Sequence, residues 1–273
     1  MIKVALTHDV DRTKKTYHYI TGIIKALTKG DISKAYYHFS SFFGKEPYWD
    51  IYEIAEIEKS YGLRSTFYML DESIRFNPFK PSTFVLAKGR YDLFEDKIQE
   101  AIRYLDANGW EIGLHGSFNS YNNKDLLKKE KDRLESILKH KVIGTRQHHL
   151  NLDEKITWKI QEELGFKYDS TWGDNYGIGF RDNRISPFYP NNTDFKVFPL
   201  VIMDFCFMNA KNKWDRFNEL LDIAEKNDAV LVINYHTAIF NEKEFPGYRS
   251  SYIKILEESI KRGARIEPLC EFL

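Results

Sequence analysis

The sequence predicts an α/β protein in which helices and strands alternate around a distorted barrel of seven or eight β/α units. Four times along the chain a helical stretch ends at a glycine and a short apolar strand follows. Glycine is common just past a helix end because it adopts the left-handed backbone conformation without steric cost. Regular alternation of helix and strand favours parallel pairing through helical crossovers, and an open doubly wound sheet is the structural alternative.

The individual elements can be assigned in chain order. An apolar stretch at residues 1–6 predicts the first strand, because polar residues follow it at once. The four units of helix, glycine and strand are residues 50–70, 95–114, 153–169 and 250–266. Further strands are predicted at residues 142–145 after helix 124–140, at residues 229–235 after helix 211–226, and at residues 196–200.

Two segments interrupt the alternation. Residues 12–44 are helical, basic and rich in tyrosine, and residues 173–194 are rich in Asn, Asp, Gly and Pro, which is typical of a long loop. Long loops in compact domains are often functional, so either segment could cover a substrate site. No low-complexity tract or linker divides the chain, and we expect a single domain over residues 1–273.

Composition excludes several classes of protein. The 273 residues contain 40 Lys and Arg and 40 Asp and Glu, whereas nucleic-acid-binding proteins usually carry a basic excess, so no nucleic acid partner is expected. No apolar run reaches the roughly 20 residues that span a bilayer, so no transmembrane segment is predicted. Two cysteines form no disulfide framework, and a strand that starts at residue 1 leaves no room for a signal peptide, so we expect a cytoplasmic protein.

Histidine and aspartate concentrate where predicted strands end, and active sites of β/α barrels lie at these carboxyl ends. Five of the eight histidines occur there: His8, His115, His148, His149 and His236. Asp9 and Asp11 project to the same side of an extended chain because side chains alternate along a strand. Asp and His together are a usual ligand set for divalent metals, so metal-assisted hydrolysis is predicted. Capping of the following helix is the alternative role for the two acids.

These motifs, in their order along most of the chain, resemble those of polysaccharide deacetylases, the NodB-homology fold of carbohydrate esterase family 4. Residues 7–11, Thr-His-Asp-Val-Asp, are similar to the family's Thr-Phe-Asp-Asp-Gly-like motif, with one residue inserted between the acids. The resemblance implies that Asp9 is the general base and Asp11 a metal ligand. The family's His-Ser/Thr-x-x-His motif matches at His115 but has Asn119 in place of the second metal-binding histidine. The third ligand is then His148, which we prefer, or Asn119.

Two more family motifs are matched further along the chain. Arg146 stands where the family has the arginine that orients the catalytic aspartate, and His149 takes the place of an aromatic residue. His236 ends an apolar strand, as does the general-acid histidine of the family. Thr171 and Arg181 resemble, more loosely, residues that line the acetyl and sugar pocket, and a solvated loop charge is the alternative for Arg181.

The resemblance implies a metal-dependent hydrolase that removes an N-acetyl group from a sugar or saccharide precursor, in the biosynthesis of a surface polysaccharide. A cytoplasmic location would suit a nucleotide-linked or lipid-linked precursor. One divalent metal ion is implied, with zinc expected and cobalt, nickel or manganese as alternatives. His236 must be cationic to protonate the departing amine, so a carboxylate is expected beside it.

Two other functions remain open from the sequence. The loss of the second motif histidine at Asn119 is compatible with a non-catalytic carbohydrate-binding relative. A hydrolase of another amide or imide on the same scaffold is the second alternative. Retention of Asp9, Arg146 and His236 favours an enzyme, because a binding protein does not need these three residues together.

Overall fold

The computed structural model describes residues 1–80, 82–87, 90–190 and 193–273. The described residues form one sheet of nine strands, and every pairing between named strands is parallel. The strands are β1 (Lys3–Val10), β2 (Thr66–Leu70), β3 (Glu111–Gly116), β4 (Gly144–Gln147), β5 (Tyr168–Asp169), β6 (Lys196–Val197), β7 (Leu200–Met203), β8 (Val230–Asn234) and β9 (Arg265–Glu267).

The strand order is β6-β5-β4-β3-β2-β1-β8-β7, with β9 added to the first residues of β1. The eight-strand path is curled, and in the described residues β6 and β7 do not pair, so the barrel stays open between them as a half-barrel. This architecture confirms the predicted distorted β/α barrel. The central position of β1 matters for function, because its carboxyl end lies between those of β2 and β8.

Helices connect and cover the strands. In the described part of the chain they are α1 (His18–Thr28), α2 (Ile32–Ser40), α3 (Ile51–Ser60), α4 (Ser82–Ala87), α5 (Asp96–Ala107), α6 (Lys124–Leu138), α7 (Thr157–Glu163), α8 (Asp204–Asn209), α9 (Lys213–Lys226) and α10 (Tyr248–Lys261). The predicted glycine terminators lie just beyond helices, and Gly109 and Gly165 adopt φ angles of +89° and +80°. None of the helices in the described residues is long and apolar enough to cross a lipid bilayer.

Two predicted elements differ from the structure. The helix predicted from residue 153 begins only at Thr157, because Asp153 accepts the main-chain N–H of Lys155 and forms a turn. The single strand predicted at residues 196–200 is wrong, since β6 pairs with β5 and β7 pairs with β8. Pro199 lies between them, and a proline has no N–H with which to continue a ladder.

Side chains of β1 alternate between the two sides of the sheet. Val4 and Leu6 belong to a large apolar core between the sheet and the helices, whereas Ala5 packs with Tyr68 in a smaller cluster on the other side. His8 lies on the side of the large core, where its Nε2 is 2.8 Å from Oε1 of Glu58. The alternation therefore separates His8 from the two acids that follow it.

The two segments that interrupt the alternation have different structures. Residues 12–44 contain α1, α2 and a short 3-10 turn, Ser41–Phe43. Residues 173–194 contain a single 3-10 turn in their described part, Arg181–Asn183. Residues 191–192 of the predicted loop lie outside the described residues.

Candidate active site

Ionisable side chains from four strands meet at the carboxyl edge of the sheet. They lie in or just after their strands: Asp9 and Asp11 at β1, His115 in β3, Arg146 in β4 with His148 just after it, and His236 just after β8. Because parallel strands end at the same edge, these residues form one cluster. Most of the cluster is buried, which strengthens the electrostatic interactions within it.

Asp11, His115 and His148 form a candidate metal centre. Nε2 of His115 lies 3.2 Å from Oδ1 of Asp11, and Nε2 of His148 lies 3.4 Å from Oδ2. One ligand atom from each residue lies within 4.8 Å of the other two. A carboxylate with two imidazoles is a donor set that divalent metals commonly use.

The protonation of His115 supports this assignment. Its Nδ1 lies 2.9 Å from the main-chain oxygen of Arg146, so this nitrogen carries the proton and donates it. Nε2 then turns a lone pair towards Oδ1 of Asp11, a buried oxygen without a hydrogen-bond donor in the described residues. Two facing lone pairs in a buried site are unfavourable, and a cation between them would remove that cost. The residues therefore fit a divalent metal ion.

Asp9 is held at both carboxylate oxygens. Oδ1 accepts a hydrogen bond of 2.9 Å from Nη1 of Arg146, and Oδ2 accepts one of 2.9 Å from Nδ2 of Asn234. Burial acts to raise the pKa of Asp9, but the positive charge of the Arg146 guanidinium, together with that of His236, outweighs it and the pKa is lowered. Asp9 is therefore an oriented anion at neutral pH.

Arg146 is fully buried and fixed along its whole guanidinium group. Nη1 also donates to Oγ1 of Thr7 and Oδ1 of Asn234, at 2.9 and 2.8 Å. Nε and Nη2 donate to the main-chain oxygen and the hydroxyl of Ser170, both at 3.0 Å. The guanidinium carbon lies 4.5 Å from the centre of the Tyr68 ring. These contacts leave Arg146 in one orientation towards Asp9.

His236 is paired with a carboxylate that the sequence did not name. Its Nδ1 lies 2.8 Å from Oδ2 of Asp204, and its main-chain N–H donates to the same oxygen at 2.6 Å. Burial acts to lower the pKa of His236, but Asp204 outweighs it and the pKa is raised to about 10. The opposite nitrogen, Nε2, lies 4.0 Å from Oδ2 of Asp9 and 3.9 Å from Oδ2 of Asp11. A cationic imidazole thus faces both acids.

A cavity of about 790 Å³ opens above this cluster. Its floor includes Asp9, Asp11, His115, His148 and His236, and its wall includes His149. The cavity continues beneath α1 and α2, where polar side chains of both helices line it. The helical segment inserted after β1 therefore covers the candidate active site.

His149 lines the cavity in an unusual backbone conformation. Its φ is +59°, a value that costs free energy for a residue other than glycine. Its ring lies 4.2 Å from the ring of His148, centre to centre. Burial and the neighbouring His148 lower the pKa of His149 to about 4, so the imidazole is neutral at physiological pH.

The structure does not bring Thr171, Arg181 or Asn119 to the cavity. Thr171 is buried, and its hydroxyl accepts the N–H of Gln147 at 2.9 Å and donates to Asp169. Arg181 lies over the ring of Trp172 with its side chain 40% exposed, which matches a solvated loop charge. Asn119 is exposed at the start of a 3-10 turn, because the chain turns away from the cluster after Ser117.

Sequence reasoning missed four residues that support the cluster. Asp204 and Glu72 follow β7 and β2. They are therefore polar residues at strand ends, the feature from which the other site residues were predicted, but neither was predicted. Oε2 of Glu72 lies 3.6 Å from Nδ1 of His148. Asn234 ends β8, and no role was predicted for it. Arg90 donates from Nη1 to the main-chain oxygen of Asp11 at 2.9 Å, and it lies in an irregular segment that gave no signal.

The parallel half-barrel is the fold of solved structures classed as polysaccharide deacetylases. A solved structure classed as a polysaccharide deacetylase, from Mycobacterium smegmatis, is similar with a TM-score of 0.60 and 16% identity, over 99% of this chain and 88% of that one. The structure of PuuE allantoinase is similar with a TM-score of 0.54 and 13% identity, over 95% and 84% of the two chains. No protein-family model and no curated protein matches the sequence. The comparisons confirm the resemblance at the level of the fold.

Proposed function

We propose that the protein is a metal-dependent hydrolase that removes an N-acetyl group from a sugar or saccharide precursor, in the biosynthesis of a surface polysaccharide. One observation carries the proposal. Asp9, an oriented anion, and His236, a cation, approach each other to 4.0 Å at the floor of the cavity, beside three potential metal ligands. A base and an acid on either side of one reacting group are what amide hydrolysis requires.

Asp11, His115 and His148 would hold the metal ion, with zinc as the expected ion and cobalt, nickel or manganese as alternatives. When bound, such an ion polarises an acetyl carbonyl and lowers the pKa of a water molecule. Nδ1 of His115 is hydrogen-bonded to the main-chain oxygen of Arg146, and the carboxylate of Glu72 lies at ion-pair distance, 3.6 Å, from Nδ1 of His148. Such partners hold the ligating nitrogen in position.

Asp9 acts as the general base. It takes the proton of the attacking water at a carboxylate oxygen, while Arg146 and Asn234 hold the group in one orientation. A lowered pKa keeps Asp9 ionised before the step, and the proton it gains replaces, at the end of the cycle, the one that His236 gives to the amine. A main-chain N–H near His148 or His149 contributes to stabilising the negative charge that develops on the acetyl oxygen.

His236 acts as the general acid. An amine leaves an amide poorly unless its nitrogen is protonated, and Nε2 of His236 supplies that proton as the carbon–nitrogen bond breaks. Asp204 holds Nδ1 and keeps the ring cationic until this step. Acetate and the free amino sugar are the products.

Hydrolysis of another amide or imide is the second candidate, since a structural neighbour is named as an allantoinase. A non-catalytic carbohydrate-binding role is less well supported, because Asp9, Arg146 and His236 all converge on the cavity. The discriminating experiment incubates the purified, metal-loaded protein with N-acetylated sugars, with nucleotide-linked and lipid-linked saccharides, and with allantoin. Release of acetate supports the proposal. Loss of allantoin alone would assign the second candidate, and no turnover with any substrate would favour a binding role.

A further inference from the structure

The helices α1 and α2 expose apolar side chains in a regular pattern. Ile20, Ile24 and Leu27 lie at positions i, i+4 and i+7 of α1, and Ile32, Tyr36 and Phe39 at the same spacing in α2. Such a spacing places three side chains on one face of a helix. With Phe42 and Phe43, which follow α2, all eight side chains are 56–76% exposed. We call these eight residues the hairpin face.

A normal surface helix turns its apolar side inwards and its polar side outwards, and both α1 and α2 do the reverse. On α1 the side chains that line the cavity include His18, Thr21 and Lys25, and on α2 they include Lys34 and His38. The polar sides of the helices therefore point inwards to the cavity, and the apolar sides point away from it. Burial of apolar surface normally sets the orientation of an amphipathic helix, so an inverted pair indicates an apolar partner on the outside.

The hairpin face is continuous at its aromatic end. The ring of Phe43 lies 5.6 Å from Phe39 and 5.3 Å from Phe42, and Phe42 lies 5.2 Å from Tyr19 of α1. Eight of the nineteen exposed large apolar side chains in the described residues lie within residues 20–43. Single exposed apolar side chains scattered over a protein surface are normal, but a concentrated patch marks an interaction surface.

The charge of the segment favours an anionic partner, although Lys14 and Lys15 pair with Glu95 and Glu244 outside it. Residues 12–45 contain seven Lys and Arg but a single acid, Asp31, in a chain whose net charge is zero. Lys45, which follows Phe43, is exposed, and so are Lys25 and Lys29, which also line the cavity, so the exposed part of the segment is cationic. A second copy of the chain would bring two cationic segments together, which is unfavourable. An anionic lipid surface offers both apolar depth and negative charge.

We propose that the hairpin face docks on an anionic lipid bilayer, with its apolar side chains in the headgroup region and the neighbouring lysines on the lipid phosphates. The helices have 11 and 9 residues, so they lie in the interface and do not cross it. The proposal concerns the surface of the insertion and is independent of the reaction in the cavity.

Flotation with lipid vesicles tests the proposal on the full chain. We expect the protein to float with phosphatidylcholine vesicles that contain about 30% phosphatidylglycerol, and to bind pure phosphatidylcholine at least about tenfold more weakly. About 0.5 M salt should weaken the anionic binding, since it screens the lysines. If the protein floats with neither kind of vesicle, the proposal is overturned.

Matched variants assign the binding to the hairpin face. The pair Ile24→Glu and Phe43→Glu should weaken binding by at least about tenfold, because it removes apolar contacts and adds negative charge. The control pair Tyr176→Glu and Ile260→Glu adds the same charge at exposed positions elsewhere and should bind like the wild type. The pair Ile24→Ser and Phe43→Ser separates apolar loss from charge and should also weaken binding. Circular dichroism checks that each variant is folded.

Sedimentation of the lipid-free protein tests whether a second copy of the chain occupies the hairpin face instead. A monomer is expected at all concentrations. A concentration-dependent dimer that the Ile24→Glu and Phe43→Glu pair dissociates would assign the hairpin face to a second copy and would overturn the proposal. Equal vesicle binding by the wild type and this pair would overturn it as well.

Discussion

Asp9 and Arg146 share a buried hydrogen bond of 2.9 Å between Oδ1 and Nη1, although 137 residues separate them in the chain. Arg146 makes four other hydrogen bonds, to Thr7, Asn234 and both oxygens of Ser170, so its position does not depend on Asp9. The arginine is thus part of the rigid sheet, and the aspartate is the group that it orients. The pair defines where the candidate base stands.

Replacement of Asp9 tests the assignment of the base. We expect Asp9→Asn to lower kcat for acetate release by about 10²–10⁴-fold, because the amide cannot accept the water proton. Metal content should be unchanged, since the three candidate ligands are Asp11, His115 and His148. Acetate release measured beside metal analysis checks both statements. Activity close to that of the wild type would remove Asp9 from the mechanism.

The third metal ligand can be decided with two alanine variants. His148→Ala should lower metal affinity by more than about 100-fold, because it removes a ligand and not merely its orienting partner. Asn119→Ala is the matched comparison and should leave metal affinity unchanged, since Asn119 is exposed outside the cluster. Metal stoichiometry after dialysis is the measurement. The reverse pattern would show that Asn119 ligates the metal.

The partnership of Asp204 with His236 predicts a pH dependence. The carboxylate of Asp204 raises the pKa of His236 to about 10, so removing its charge must lower that pKa. In Asp204→Asn the imidazole loses its proton at a lower pH, and the alkaline limb of kcat should move towards the ordinary histidine value of about 6.5. A pH profile of acetate release shows the shift. Asp215→Asn, an exposed substitution on α9, should leave the profile in place.

Glu130 predicts a pH dependence of stability. Burial raises its pKa to about 8, and its side chain is hydrogen-bonded to Ser117. The native protein then holds a proton on Glu130 that the unfolded chain releases above pH about 4.5, so stability is lost as pH rises towards 8. The loss amounts to at most about 1.4 kcal/mol per pH unit.

Urea unfolding between pH 5 and about pH 8 measures this dependence. Glu130→Gln has no proton to release, so its free energy of unfolding should vary less with pH than that of the wild type. Glu154→Gln, at an exposed position, should follow the wild type. Parallel curves for the wild type and Glu130→Gln would show that Glu130 is ionised in the native state.

Much of the fold could be predicted from local sequence signals. Helix-terminating glycines and apolar strands depend on neighbouring residues alone, and they located the parallel alternation. The division of residues 196–203 into β6 and β7 depends on which strand each one joins, and the sequence does not contain that information locally. Parallel pairing joins distant parts of the chain, as Thr7 beside Asn234 shows.

The candidate site was predictable where residues follow strands and unpredictable elsewhere. Asp9, Asp11, His115, His148 and His236 all follow or end strands and all meet. Thr171 also follows a strand, but its hydroxyl donates a hydrogen bond to Asp169 and its side chain does not line the cavity. Arg90 reaches the site from an irregular segment, and only the folded chain shows it. The exposure of the hairpin face could not be predicted either, since periodicity locates an apolar face but does not say which way it points.

The single residue between Asp9 and Asp11 has a consequence for the architecture of the site. β1 continues to Val10, which pairs with Met69 of β2, so the spacer belongs to the sheet. In an extended chain two adjacent acids would point to opposite sides. The common side of the two acids therefore depends both on the one-residue spacer and on the register of β1. Deletion of Val10 would turn one acid into the apolar core, and it should be more damaging than most point substitutions in the cavity.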